Sequence, residues 1–171
     1  ARAAAVHATL GALGITYIKD PSNPFDKARN AKAIDYVQFP RETLKRKAGD
    51  CDDLTALYAS LLESLSIQTR VADLPGHVLV LMRLDAPRAD TFTEDRALIL
   101  EDGVWIPLET TVVGKSFEEA WREGARALRR VEGAPHTLDV RESWGVYAPA
   151  TLSEGETPVL PPDGELPARV K

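Results

Sequence analysis

Cysteine is nearly absent from this chain, since Cys51 is the only one among 171 residues. An internal disulfide is therefore excluded, although a lone thiol does not reveal the redox compartment. Basic charge is also scarce, because 21 Lys and Arg residues stand against 26 Asp and Glu residues and the formal net charge is −5. The electrostatic footprint of a nucleic-acid-binding protein is missing. No apolar run approaches the roughly 20 residues of a membrane-spanning helix, so we expect no membrane span.

Length and composition are typical of one globular domain. Charged residues make up 27% of the chain and hydrophobic residues 44%, and the chain is long enough to bury a sound core. Proline, glycine and acidic residues become frequent near the end, so we predict a domain over residues 1–146, with its core at about 36–132, and an extended tail or linker over 147–171. Because the chain begins with Ala-Arg-Ala rather than Met, we expect a part of a larger multidomain protein, from either the cell envelope or the cytoplasm.

The clearest local pattern is an amphipathic helix that begins at the single cysteine. Apolar side chains recur every three or four positions over residues 51–65 and form one face. Asp50 is a good N-cap, and Asp53 stands three residues later, as in a capping box. Cys51 is then the first helical residue and lies on the apolar face. A helix N-terminus stabilises a thiolate, whereas the negative charge of the neighbouring aspartates opposes it.

Two strands are predicted after this helix, over residues 69–74 and 77–84, with a tight turn at Pro75-Gly76 between them. The second strand is apolar over nearly all of its length. This composition is typical of a strand that is covered on both faces.

A hairpin is predicted further on, where strands 97–101 and 104–109 flank Asp102-Gly103. Pro107 cannot donate to a sheet ladder, so it predicts an edge position or a bulge in the second strand. In a simple meander, strand 97–101 would pair with strand 77–84, and Glu109 would lie at the opposite end of the sheet from His77. A contact between these two residues requires strand 104–109 to pair directly with strand 77–84, or the loop at 85–96 to reorder the sheet. This is the arrangement that we predict.

Three side chains in this region have the chemistry of a thiol nucleophile system. Cys51 begins the helix, His77 begins an apolar strand, and Glu109 ends another. In such a system the histidine takes the proton of the thiol, and the acid orients the imidazole. Each residue also has a simpler explanation, because free cysteines are often small buried hydrophobes and single histidines or strand-end carboxylates are often structural. His7, in a predicted helix, and His136, in a predicted loop, are weaker candidates.

The segments around these three residues resemble the transglutaminase-like superfamily. The segments are AGDCDDLT at 48–55, PGHV at 75–78 and WIPLETT at 105–111. The resemblance implies an α+β fold with a papain-like, transglutaminase-like core, in which the nucleophile helix packs on an antiparallel β-sheet. It makes Cys51 the nucleophile, His77 the base and Glu109 the orienting acid, where many members have aspartate.

The activity that this resemblance implies is acyl transfer on peptide or side-chain amides, with a protein or peptide as substrate. A bacterial cysteine peptidase or amidase and a protein-crosslinking transglutaminase both fit. The alternative is a non-catalytic peptide-binding or scaffold domain, because the superfamily contains such members. For the oxyanion hole, the candidate donors are the backbone N–H of Cys51 and the side chain of Gln38, in YVQFP at 36–40.

Three aspartates around the cysteine raise the question of a metal. Bacterial members of the superfamily include peptidases that bind calcium through acidic residues beside the nucleophile, and Asp50, Asp52 and Asp53 are similar in kind. Calcium takes six to eight oxygen ligands, of which these residues supply only a part. Helix capping explains the same residues, so we predict neither a metal nor another cofactor.

Overall fold

The computed structural model describes residues 1–19, 36–85, 92 and 96–150. Most of the loop predicted at 85–96, and the predicted tail from residue 151 onward, therefore lie outside the described residues.

Helices and strands are interspersed along the described chain. They are α1 (Arg2–Ala12), β1 (Thr16–Tyr17), α2 (Pro40–Arg46), β2 (Ala48–Gly49), α3 (Cys51–Ser64), β3 (Thr69–Leu74), β4 (His77–Arg83), β5 (Leu98–Leu100), β6 (Gly103–Leu108), a 3₁₀ turn (Thr110–Val112), α4 (Phe117–Arg129), β7 (His136–Asp139) and α5 (Val140–Trp144). The main sheet is antiparallel throughout, in the order β5-β6-β4-β3-β7, and β1 and β2 form a separate parallel pair. This mixture confirms the α+β class. No helix in the described part of the chain is long and apolar enough to cross a membrane.

The core lies on both faces of β4. Val80 and Met82 pack in one cluster with the buried leucines of α3, and Leu79 and Leu81 pack in a second cluster with Trp105 of β6. The prediction of a strand covered on both faces is thus confirmed. Each fully buried leucine of this kind contributes about 1.5–3 kcal/mol, so α3 is held firmly against the sheet.

The sheet is not a simple meander, and the predicted direct pairing of strand 104–109 with strand 77–84 is confirmed. β5 pairs only with β6, and β6 lies between β5 and β4. The apolar content of the strands explains this order. Trp105 and Ile106 of β6 are fully buried, whereas Ile99 in the short β5 is 40% exposed. The more apolar strand takes the inner place, where both of its faces are covered.

Pro107 lies in an inner strand, but at a point where one side of that strand has no neighbour. The ladder between β5 and β6 ends at Trp105, and Pro107 stands opposite Leu81 of β4. Helix α4 crosses β6 at this open side, where Glu109 N–H donates to Ala120 O at 3.0 Å. The missing N–H of Pro107 therefore costs no ladder hydrogen bond, which is the local situation that the proline predicted.

Strand β7 and helix α5 have no counterpart in the sequence predictions, and His136 begins β7 instead of lying in a loop. β7 alternates between exposed and partly buried residues and carries little apolar signal. Its pairing with β3 brings the buried Asp139 to the start of α5. There Asp139 Oδ1 accepts from the N–H groups of Arg141 and Glu142, at 2.9 and 3.1 Å.

Gly124→Ala should destabilise the fold, although alanine normally stabilises a helix interior by up to about 1 kcal/mol. A Cβ at Gly124 would lie 2.7 Å from the carbonyl oxygen of Pro107 and 3.0 Å from the backbone nitrogen of Glu109. Neither backbone atom can move without disturbing β6, and overpacking of this kind costs about 1–3 kcal/mol. Urea unfolding measures the change, with Arg126→Ala on the exposed face of α4 as the control. An unchanged or increased stability in Gly124→Ala would contradict the close contact.

Candidate active site

Helix α3 places the thiol of Cys51 at its N-terminus, half-buried. Asp50 caps the helix, since its carboxylate accepts from Asp53 N–H at 3.3 Å, and Asp53 accepts in return from Asp50 N–H at 3.3 Å. The capping box predicted from the sequence is thus present. The helix packs on β4, so its first turn lies near the strand that begins with His77.

Asp53 connects α3 to the segment before α2. It is 4% exposed and accepts hydrogen bonds from Gln38 N–H, at 2.7 Å, and from the side-chain amide of Gln38. Gly49 makes room for it, because a Cβ there would lie 2.6 Å from Asp53 Cβ. Asp53, the last aspartate of the GDCDD motif, thus fixes the segment before α2 to the first turn of α3. From the sequence, its capping of α3 was predicted but this contact was not.

His77 and Glu109 are in direct contact. His77 Nε2 and Glu109 Oε2 lie 2.7 Å apart, on side chains that are 28% and 9% exposed. The other carboxylate oxygen, Oε1, accepts from Thr111 N–H at 3.1 Å and from Thr111 Oγ1 at 2.6 Å. Both oxygens of Glu109 are therefore held, and the carboxylate has a defined orientation toward the ring. Thr111 lies within the WIPLETT segment, but no role was predicted for it.

The electrostatics of His77 are set by its two neighbours. Its pKa is raised to about 10, first by the hydrogen bond with Cys51 and next by that with Glu109, against an opposing effect of burial. Nε2 faces Glu109, so Nδ1 is the nitrogen available to the thiol. Burial tends to raise the pKa of Glu109, but the hydrogen bonds from His77 and Thr111 outweigh it and the pKa is lowered. This arrangement favours the imidazolium form of His77 at neutral pH.

The three aspartates lie close together, as the sequence suggested. One carboxylate oxygen from each of Asp50, Asp52 and Asp53 lies within 4.8 Å of the others. The pKa of Asp50 is raised to about 7, first by burial and then by the hydrogen bond with Asp52. These oxygens are the ones that could hold a hard cation such as calcium. Asp53, however, already accepts from Gln38 and Asp50, and Asp50 accepts from Asp53 N–H.

The two candidate oxyanion donors lie at the same end of α3 but differ in their partners. Cys51 N–H is at the first helical position, where a helix has no internal acceptor, and it has no acceptor among the described residues. The Gln38 side chain instead donates to Asp53, so one of its two N–H groups is used there. His7, a weaker candidate from the sequence, is buried away from this site and bonded to Tyr58 and Lys115.

Tyr17 is a neighbour of the site that sequence reasoning missed. The pKa of its phenol is raised, first by burial and then by the charges of Cys51, Asp50 and Glu109. The sequence around Tyr17, ITYI at 15–18, indicates only a short extended segment. Such a pattern does not reveal how far Tyr17 lies from Cys51.

Comparison of the chain with protein-family models, with curated proteins and with solved structures gives no match. The three motifs and the geometry of their side chains are thus the observations from which a function is inferred.

The His77 ring should stay protonated to about pH 10, because its interactions with Cys51 and Glu109 favour its charged form. A histidine pKa above the unfolded value of about 6.5 stabilises the fold fully below that value, and this contribution is lost as the pH rises toward 10. Ring NMR shifts measured against pH test this directly. Cys51→Ala and Glu109→Gln should each lower the midpoint. His7, whose pKa is lowered by burial, provides the internal control. A His77 midpoint near 6.5 would contradict the described contacts.

Calcium should change the melting temperature little, since capping already accounts for the aspartates and all three of them accept backbone N–H groups. Thermal unfolding in excess calcium and in excess chelator tests this, because a ligand that binds only the native state raises stability by mass action. Asp52→Asn is the matched variant. A rise of several degrees in calcium that is lost in Asp52→Asn would show that the aspartates form a metal site.

Proposed function

We propose that this chain is a thiol-dependent acyl-transfer enzyme of the transglutaminase-like type, with a papain-like core and a Cys51-His77-Glu109 triad. The observation that carries the proposal is the 2.7 Å contact between His77 Nε2 and Glu109 Oε2, and the influence of Cys51 on the raised pKa of His77 supports it. A nucleophile, a base and an orienting acid in this mutual geometry are the general signature of an activated thiol. The packing of α3 on an antiparallel sheet is compatible with the core that the resemblance implies.

The reaction begins with the Cys51 thiolate and the His77 imidazolium. The sulfur attacks the amide carbonyl of a peptide or side chain, and a C–S bond forms as the carbonyl electrons move to oxygen. The oxyanion then collapses, the C–N bond breaks, and His77 gives its proton to the departing amine. Neutral His77 next takes a proton from water, and the resulting hydroxide attacks the acyl-enzyme, which releases the acid and regenerates the thiolate.

The acceptor of the acyl group decides between two products. Water gives hydrolysis, as in a cysteine peptidase or amidase, and an amine gives a new amide, as in a crosslinking transglutaminase. Glu109 acts in both cases by holding His77 and balancing its charge, since its carboxylate is fixed by Thr111. The first oxyanion donor in this scheme is Cys51 N–H, and the second is the remaining N–H of the Gln38 amide.

Cys51→Ala and Cys51→Ser should abolish cleavage of a fluorogenic peptide library and incorporation of a labelled amine, because no other described group replaces the sulfur. Glu109→Gln keeps a hydrogen-bond acceptor but loses the charge, so turnover should fall by about 10²–10⁴-fold, as for other triad acids. His136→Ala is the control, since this exposed side chain lies on β7, two strands away from β4, and belongs to no part of the triad. Circular dichroism checks that each variant folds.

Iodoacetamide gives a readout that needs no substrate. The proposal predicts rapid alkylation of Cys51 at pH 6, where an ordinary thiol with a pKa of about 8.5 reacts slowly, and slow alkylation in His77→Ala. Undiminished turnover in a folded Cys51→Ala would remove the mechanism. Slow alkylation throughout, together with peptide binding but no turnover, would instead favour a non-catalytic binding domain of a larger protein.

A further inference from the structure

Thr55 is a buried polar residue to which the reaction described above gives no part. It stands four residues after Cys51 in α3, one turn further along the same face of the helix, and it is 2% exposed. Its hydroxyl oxygen lies 3.5 Å from Val78 O and 3.4 Å from Thr110 Oγ1. Val78 follows His77 in the chain, and Thr110 follows Glu109. Each contact of this one side chain thus lies next to a member of the triad.

The carbonyl group of Val78 lies where the ladder between β4 and β6 ends. Leu84 N–H donates to Val104 O at 3.0 Å, so the even-numbered residues of β4 turn their backbone groups toward β6. The ladder stops one such pair before Val78, whose partner in the same register would be Thr110. Thr110 begins the 3₁₀ turn instead. The ladder therefore leaves Val78 O without a donor on this side, and Thr55 lies in the gap.

The chemistry of these groups decides which of them donates. A carbonyl oxygen can only accept, so the Thr55 hydroxyl donates to Val78 O, and the Thr110 hydroxyl donates to Thr55 Oγ1. Thr110 is fully buried as well, so the protein interior shields both bonds from water and strengthens them. This short chain of hydroxyl groups joins α3, β4 and the 3₁₀ turn.

We propose that Thr55 is a positioning residue of the triad, which holds the chain beside His77 and the chain beside Glu109 against the helix that carries Cys51. This inference rests on the proposed function for its effect on turnover. Thr55 acts through Val78 and the 3₁₀ turn rather than on the reacting atoms. The residue that holds the Glu109 carboxylate, Thr111, lies in the same turn. A displaced turn would therefore also move that carboxylate relative to the His77 ring.

Thr55→Val tests the proposal, because valine keeps the branched shape of the side chain and removes the hydroxyl. On a fluorogenic peptide that the wild-type chain cleaves, kcat should fall by about 10–10²-fold with KM little changed, since a misplacement of about 1 Å costs about 10²-fold in rate. The NMR midpoint of the His77 ring should fall from about 10 by about one pH unit, because a looser contact with Glu109 favours the charged ring less.

Two further variants separate the hydroxyl from packing. Thr55→Ser keeps the hydroxyl and should retain most of kcat and the His77 midpoint. Thr69→Val is the matched control, since Thr69 is fully buried, its hydroxyl donates to Glu63 Oε1 at 2.8 Å, and it lies at the far end of β3 from the residue that pairs with His77. This control should lose stability but neither kcat nor the midpoint. Wild-type kcat and midpoint in Thr55→Val, or the same losses in Thr55→Ser or Thr69→Val, would overturn the proposal.

Thr110→Val removes the other hydroxyl of the link and serves if Thr55→Val fails to fold. It should lower kcat and the His77 midpoint in the same direction, and wild-type values in a folded Thr110→Val would overturn the proposal. The midpoint needs no substrate, so failure of the proposed function is recognised separately, by a wild-type chain with neither turnover nor rapid alkylation at pH 6. In that case a midpoint that falls in Thr55→Val but not in Thr69→Val still supports the positioning of His77 by Thr55.

Discussion

The antiparallel pairing of β4 with β6 is the constraint on which the candidate site depends. β4 begins with His77 and β6 leads directly into Glu109, so antiparallel neighbours bring the start of one strand to the end of the other. The register, with Val80 opposite Leu108, carries Glu109 toward His77, and their side chains meet at 2.7 Å. A parallel arrangement of these strands would put the two residues at opposite ends of the sheet.

Packing of α3 on the same sheet supplies the third group. Buried leucines of α3 lie against Val80 and Met82 of β4, so the N-terminus of the helix is held near the start of that strand. Asp53 then ties this first turn to Gln38, and Gly49 has no side chain because Asp53 occupies the space. The site is thus assembled from rigid elements.

Charge is the second factor that shapes this end of the molecule. His77 lies between Glu109 and the thiol, and its raised pKa expresses their combined preference for a cation. The aspartates around Cys51 add negative charge, and the raised pKa of Asp50 shows that the cluster already resists full ionisation. A chain with net charge −5 therefore places a positively charged imidazolium where its negative side chains are dense. The position and the pKa of His77 should therefore change when either Glu109 or Cys51 is replaced.

Much of the fold could be predicted from local patterns, and the failures have physical reasons. The helix at Cys51 and the strand at 69–74 follow from strong periodicity and from capping or turn residues, which act within a few residues of each other. The order of the strands could not be predicted in this way, because it depends on which strand buries more surface once the sheet forms. β7 was missed for the same reason, since its strand conformation comes from pairing with β3 rather than from its own composition.

The sequence by itself determined which chemical groups are present and where each stands within its element: a thiol at the start of a helix, an imidazole at the start of a strand and a carboxylate at the end of another. Only the tertiary structure decided that these groups meet, that Asp53 is engaged by Gln38, and that the Tyr17 phenol lies within reach of the charges of the site. Local sequence acts through propensity and capping over a few residues. Contacts between positions as distant as 17, 51, 77 and 109 depend instead on strand order and on the packing of helix against sheet.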